Sequence, residues 1–116
     1  MNVAQAPSAK TTPVIVSVGY NLHIRWARKK FSLRDYHLKV DLLKTEYDEI
    51  VLYPGTTYLM VHKNGLIGIF DIMLRMWLVP LKFTQIYLTK TTMLFSVYDG
   101  NKRGLFDGLY DELTWF

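Results

Sequence analysis

Apolar and polar residues alternate along most of this chain. The alternation is interrupted at short intervals by glycine, asparagine, aspartate or proline. Residues 13–18 form a run rich in β-branched side chains that Gly19 ends, which predicts a strand. Leu22, His23, Ile24, Arg25 and Trp26 alternate with period two, so a half-buried strand is expected with Leu22, Ile24 and Trp26 on one face. Ala27, Arg28, Lys29 and Lys30 make the polar tip of a hairpin, and Phe31, Ser32, Leu33 and Arg34 return from it. Leu38, Leu42 and Leu43 also fit helical spacing. Strands are preferred there because a second copy of the segment ends at Val79-Pro80 and is tightly bracketed by Gly68 and Pro80.

The pattern recurs. Residues 35–52 align with 71–88 at an offset of 36 without a gap. Asp35, Leu38, Leu42, Ile50 and Leu52 reappear as Asp71, Leu74, Leu78, Ile86 and Leu88, and Lys39, Leu43, Tyr47 and Glu49 are exchanged for Arg75, Val79, Phe83 and Gln85. Residues 57–71 align with 93–107, where Val61, Gly68, Phe70 and Asp71 return as Val97, Gly104, Phe106 and Asp107. This predicts an all-β domain of about three hairpin or meander units of 36 residues, forming a curved antiparallel sheet or a small sandwich. Leu59 and Val61 point one way, as do Phe95 and Val97, with His62 and Tyr98 on the other face. In the first unit His23 and Arg25 fall at the expected inward positions. Either that hairpin is offset by one residue or the terminal unit is atypical. Tyr110-Asp111-Glu112-Leu113 echoes Tyr47-Asp48-Glu49-Ile50, so the third copy reads as shortened by about nine residues. Trp115 and Phe116 are then expected to pack as an apolar plug. Residues 1–12 read as a flexible tail, with 13–116 as a single domain.

Each recurring residue has a structural reason. Asn64-Gly65 and Gly100-Asn101 supply the positive φ of tight hairpin turns. Gly68 and Gly104 lie inside strands, where a missing side chain marks a bulge or a close backbone approach. Asp71 and Asp107 end strands, where a carboxylate accepts N–H groups of the following turn. Turn capping explains their recurrence better than a paired-carboxylate active site does.

Composition narrows the class. At 116 residues, half of them hydrophobic, the chain is long enough for one core. Eight tyrosines and an aromatic content of 15% favour strands. With no cysteine there is neither a disulfide framework nor a thiolate metal site, and a reducing, cytoplasmic location is expected. The first residues lack a basic segment followed by an apolar one, so no signal peptide is read. The longest apolar run, 72–81, is broken by Arg75 and Pro80 and is too short for a membrane span, so no membrane partner is expected. The net charge of +4 is uneven. Arg25, Arg28, Lys29, Lys30, Arg34, Lys39 and Lys44 meet only Asp35 and Asp41 in their stretch, whereas Glu46, Asp48 and Glu49 form one acidic cluster and Asp107, Asp111 and Glu112 another.

Lys63-Asn64-Gly65, Gly68-Ile69-Phe70-Asp71, Pro80, Tyr47-Asp48-Glu49-Ile50 and Tyr110-Asp111-Glu112-Leu113 resemble the WG repeat, a β-rich bacterial repeat, over roughly residues 31–113. The tryptophan that the repeat places before its glycine is Ile67 in one copy and Arg103 in the next, and the first copy lacks the glycine. The resemblance implies a β-repeat interaction module and carries no catalytic residue. A fold of this kind does not by itself assign a function.

No phosphate-binding glycine loop, metal-ligand spacing or nucleophile elbow is present, so no cofactor or metal is expected. His23 and His62 with a lysine could support a metal-independent ribonuclease, but both also suit plain polar strand positions. Arg25, Trp26, Arg28, Lys29, Lys30 and Phe31 interleave cations with aromatics. That suggests nucleic-acid binding at Arg25, Arg28, Lys29 and Lys30 as an alternative. The preferred expectation is a non-enzymatic protein-binding module, most concretely a bacterial immunity protein that neutralises a cognate toxin such as a nuclease. Asp48, Glu49, Tyr53, Asp111, Glu112 and Trp115 are the candidate partner-binding residues. An exposed edge strand would equally permit a homodimer.

Overall fold

The computed structural model describes residues 14–116. Among them there are twelve strands and no helix: β1 (Val14–Gly19), β2 (Leu22–Ala27), β3 (Lys30–Asp35), β4 (Val40–Tyr47), β5 (Glu49–Leu52), β6 (Tyr58–Lys63), β7 (Leu66–Asp71), β8 (Met76–Phe83), β9 (Gln85–Leu88), β10 (Leu94–Asp99), β11 (Lys102–Asp107) and β12 (Glu112–Trp115). The fold is all-β. The strands make three open, four-stranded antiparallel sheets in chain order: β1-β2-β3-β4, β5-β6-β7-β8, and β9-β10-β11-β12. The expected tail at 1–12 lies outside the described residues. The chain divides into two compact units between Ile50 and Val51.

The 36-residue period of the sequence is the period of the strands. Strands β2, β6 and β10 begin at Leu22, Tyr58 and Leu94, and β3, β7 and β11 at Lys30, Leu66 and Lys102. The pairing register agrees too: Leu22 faces Asp35, Tyr58 faces Asp71 and Leu94 faces Asp107. The first hairpin is therefore not offset. Strand β12 begins 36 residues after β8, so the third copy is not shortened. Tyr110-Asp111-Glu112-Leu113 is the counterpart of Leu74-Arg75-Met76-Trp77, and its likeness to Tyr47-Asp48-Glu49-Ile50 is coincidental. The two-residue hairpin tips need left-handed backbone, which matches the twist of the flanking strands. Asn64 (φ 53°) and Gly65 (φ 79°) supply it in the second unit. In the third, Gly100 alone is positive (φ 63°) and Asn101 is not.

Strand β8 runs through Pro80 instead of ending there. Between the pairs Ile67–Phe83 and Ile69–Val79, β7 advances two residues and β8 four, so β8 bulges. Pro80 sits in that bulge, where its missing N–H breaks no ladder bond. Strand β4 bulges identically between Tyr47 and Leu43. Gly68 faces this bulge. A Cβ there would lie 2.8 Å from Trp77 Cζ3, 2.9 Å from the Val79 oxygen and 3.0 Å from Leu81 Cα. Close approach, not torsion, demands the glycine. Gly104 is crowded in the same way by Thr114 O and Trp115.

Burial resolves the parity of the first unit. Leu22, Ile24, Leu33, Leu43 and Tyr47 lie on one face of the first sheet and are buried. Its other face carries Ile15, Ser17, His23, Arg25, Lys30, Ser32, Arg34 and Asp41. The third sheet buries the opposite set: Phe95, Val97, Gly104 and Phe106 are the counterparts of His23, Arg25, Ser32 and Arg34. The middle sheet buries both, Leu59, Val61, Gly68 and Phe70 on one face, Ile67 and Ile69 on the other. Within the second unit Ile67, Ile69, Leu78, Val79 and Phe83 pack against Ile86, Phe95, Val97 and Phe106 as one cluster. Phe83 meets Phe106 and Trp115 edge-on, and Tyr58 meets Phe95 edge-on.

Candidate interaction surfaces

The same turn is built three times. Asp35, Asp71 and Asp107 close the third strand of each sheet, and each turns one carboxylate oxygen onto the turn that follows. Asp35 Oδ1 accepts from the N–H groups of His37 and Leu38, both at 2.8 Å. Asp71 Oδ1 accepts from Met73 (2.8 Å) and Leu74 (3.3 Å), and Asp107 Oδ1 from Leu109 (2.9 Å) and Tyr110 (3.1 Å). The turn ends on a left-handed residue, Lys39, Arg75 or Asp111. With backbone donors held internally, the side chains of the tip face outward. They are apolar. Leu38 is 62% exposed, Met73 53%, Leu74 46%, Leu109 64% and Tyr110 70%. The sequence shows the recurring Asp and Leu, but a repeated leucine reads as core. The signal that marks it as surface is its place directly behind a turn-capping aspartate.

The predicted acidic set is divided. Asp48 and Glu49 lie in the first unit, and Tyr53, Asp111, Glu112 and Trp115 in the second. Asp48 accepts from Lys30 Nζ across the β3–β4 pair. Glu49, Tyr53, Asp111 and Glu112 are exposed. Trp115 is half-buried against Phe83, with Lys102 Nζ 4.6 Å above its ring, and is a packing residue. Phe116 is exposed under Arg103, so only Trp115 plays the part expected of a plug.

The predicted basic set is coherent, but its aromatics are different ones. Trp26 and Phe31 pair with each other on the face of Leu22 and Ile24, opposite Arg25. Arg25 shares its face with His23, and His23 stacks on the ring of Tyr36 (5.2 Å between centroids, 17° between planes). Arg34 donates to Asp41 at 2.9 Å and to the Lys39 carbonyl at 3.0 Å. No ion pair or hydrogen bond engages the side chains of Arg25, Arg28 or Lys29 among the described residues. Arg28 (φ 55°) and Lys29 (φ 67°) hold the left-handed conformations that Asn64 and Gly65 hold in the second unit. For residues with a Cβ this costs about 1–2 kcal/mol each.

The titration of Tyr47 is shifted. Burial raises its phenol above the ordinary tyrosine range, and the charge and hydrogen bond of Glu46 raise it further. An open depression of about 190 Å³ in the second unit is lined by Thr56, Tyr58, Thr89, Lys90 and Phe95. Two of its hydroxyls are spent locally: Thr56 Oγ1 donates to Tyr53 O and accepts from Tyr58 N, and Thr89 Oγ1 donates to Leu94 O and accepts from Thr91 N. No three His, Asp or Glu side chains gather among the described residues, and no helix there is long and apolar enough to cross a membrane.

No protein-family model matches the chain, and no curated protein matches it. Solved structures of Kluyveromyces lactis Hsv2 resemble it in part. One has 14% identity and a TM-score of 0.40 over 84% of this chain and 34% of that one. Hsv2 with a complete loop 6CD has 15% identity and a TM-score of 0.41 over 90% and 37%. The chain thus spans about a third of the length of these proteins.

Proposed function

We propose that this chain is a non-enzymatic protein-binding module that engages its partner through the Asp-capped turns. The observation that carries the reading is the threefold recurrence of exposed apolar tips, Leu38, Met73 with Leu74, and Leu109 with Tyr110, on turns whose backbone is held by Asp35, Asp71 and Asp107. Exposed leucine, methionine and tyrosine on rigid turns lose little conformational entropy when covered and supply the apolar anchors of an interface. The most concrete form of the reading is a bacterial immunity protein that caps a toxin.

The test is capture of partners from nuclease-treated lysate of the native host, comparing the wild type with Leu38→Ser, Leu74→Ser and Tyr110→Ser combined. One stoichiometric protein, lost with the triple variant, is the expected result. These sites are exposed, so stability should change by less than about 0.5 kcal/mol per site. A partner retained by the triple variant would overturn the assignment of the turns. If co-expression with a toxin domain encoded beside this chain leaves the host unprotected, the immunity form is wrong.

A further inference from the structure

We infer that the outer face of the first sheet, formed by β2, β3 and the hairpin tip between them, binds single-stranded nucleic acid. That face is polar where the other two sheets are apolar. At the positions of His23, Arg25, Ser32 and Arg34 the second sheet carries Leu59, Val61, Gly68 and Phe70, and the third Phe95, Val97, Gly104 and Phe106, all buried. A sheet face that water partly reaches needs polar residues. Polarity alone would be met by neutral or mixed side chains. Here cations are in excess: Arg25, Lys30 and Arg34, continued at the tip by Arg28 and Lys29, outnumber Asp41 and Asp48, which pair with Arg34 and Lys30. Among the described residues, Arg25, Arg28 and Lys29 have no anionic partner.

Two further observations point to a polymer with bases and away from a generic counterion. The tip holds Arg28 and Lys29 in left-handed backbone where the second unit has Asn64-Gly65, so the cations are kept against the local preference of the turn. On the same face the stacked rings of His23 and Tyr36 lie beside the cations, with Tyr36 48% exposed. Ile15, opposite Arg25, is exposed as well. An aromatic platform next to unpaired arginines is the arrangement that takes stacked bases and their phosphates. From His23 to Ala27 the strand advances four residues, about 13 Å, with Arg28 and Lys29 beyond it at the tip, enough for a few nucleotides.

The experiment is fluorescence anisotropy of labelled 12-nucleotide single-stranded RNA and DNA with the full chain, from 50 to 200 mM salt. If Arg25, Arg28 and Lys29 each neutralise one phosphate, log affinity should fall against log salt with a slope of about −2, roughly a 20-fold loss over that range. Arg25→Gln with Arg28→Gln should reduce the slope to about −0.7. Tyr36→Ala should weaken binding about tenfold at unchanged slope, and Tyr36→Phe, which keeps the ring, should restore it. The Leu38, Leu74 and Tyr110 variant should bind as wild type, which separates this inference from the protein-binding reading. Absence of binding at 50 mM salt overturns the inference. So does binding that heparin displaces and Tyr36→Ala leaves intact, because the face would then be a plain polyanion surface.

Discussion

Gly68→Ala is the sharpest test of how the sheets are built. The new Cβ would meet Trp77 Cζ3 at 2.8 Å, Val79 O at 2.9 Å and Leu81 Cα at 3.0 Å. Two of those atoms are backbone of the β8 bulge and cannot rotate away. The φ of Gly68 is not left-handed, so the cost is steric alone. Overpacking of this kind costs about 1–3 kcal/mol, and two fixed neighbours place Gly68 at the upper end. Stiffening of the unfolded chain by alanine returns about 0.4–1 kcal/mol. The net expectation is a loss of about 2 kcal/mol. With a urea m-value of about 1–2 kcal/mol/M for a small protein, the midpoint should fall by about 1–2 M. Gly65→Ala is the contrasting case. It meets nothing within 4 Å but keeps φ at 79°, so it should lose about 1 kcal/mol through backbone strain alone. Trp77→Leu added to Gly68→Ala removes one contact of three and should recover less than half of the coupling in a double-mutant cycle. A Gly68→Ala protein with an unchanged midpoint would refute the close-approach account.

Three more predictions can be read by the same denaturation assay. Asp71→Ala removes a buried carboxylate that caps two N–H groups and should cost about 1–3 kcal/mol; Asp71→Asn, still able to accept, should recover a large part. Ser32→Ala should be neutral or slightly stabilising, because the Ser32 hydroxyl is buried without a partner; a loss above about 1 kcal/mol would reveal a bonded hydroxyl. The raised Tyr47 phenol contributes stability that is fully present below pH 10, the ordinary tyrosine value, and is lost as pH rises through the folded value. Tyr47→Phe, the residue its counterpart Phe83 already is, should therefore flatten the alkaline decline of stability while changing it little at neutral pH.

Most of the fold was legible because its determinants are local. Period-two alternation located β2, and the 36-residue recurrence fixed the units, since turn residues and core residues must return together when one sheet is built three times. What failed depends on contacts between strands. Nothing in Val79-Pro80 by itself says that β8 continues, because the bulge that admits Pro80 is defined by its pairing with β7. Tyr110-Asp111-Glu112-Leu113 matched Tyr47-Asp48-Glu49-Ile50 by letter, while the strand period makes it the counterpart of the Leu74 turn. The basic stretch was visible as charge. Its aromatics were not, because Trp26 and Phe31 are adjacent to Arg25 and Lys30 in sequence and point to the other face. Leu38 and Leu74 were visible as repeats and silent as surface, since hydropathy alone cannot tell a core leucine from one at a capped turn.

The parity of the hairpins links these strands of argument. His23 and Arg25 looked misplaced because the second and third units both keep apolar residues at those positions. The register shows that they are not misplaced; their face is polar and half-buried in the first sheet, with Ser32 fully covered, and apolar and buried in the others. A repeat therefore specifies two faces per unit, and the units differ in which face keeps its apolar residues. The third sheet makes the same substitution on the opposite face, where Ser96, Arg103 and Leu105 stand in place of Met60, Ile67 and Ile69. That rewriting is mixed in character. On the first sheet the cations outnumber the anions. Solvation is indifferent to the sign of a charge, so the excess of cations on the first sheet is the part of the pattern that solvation leaves unexplained and that an anionic ligand would explain.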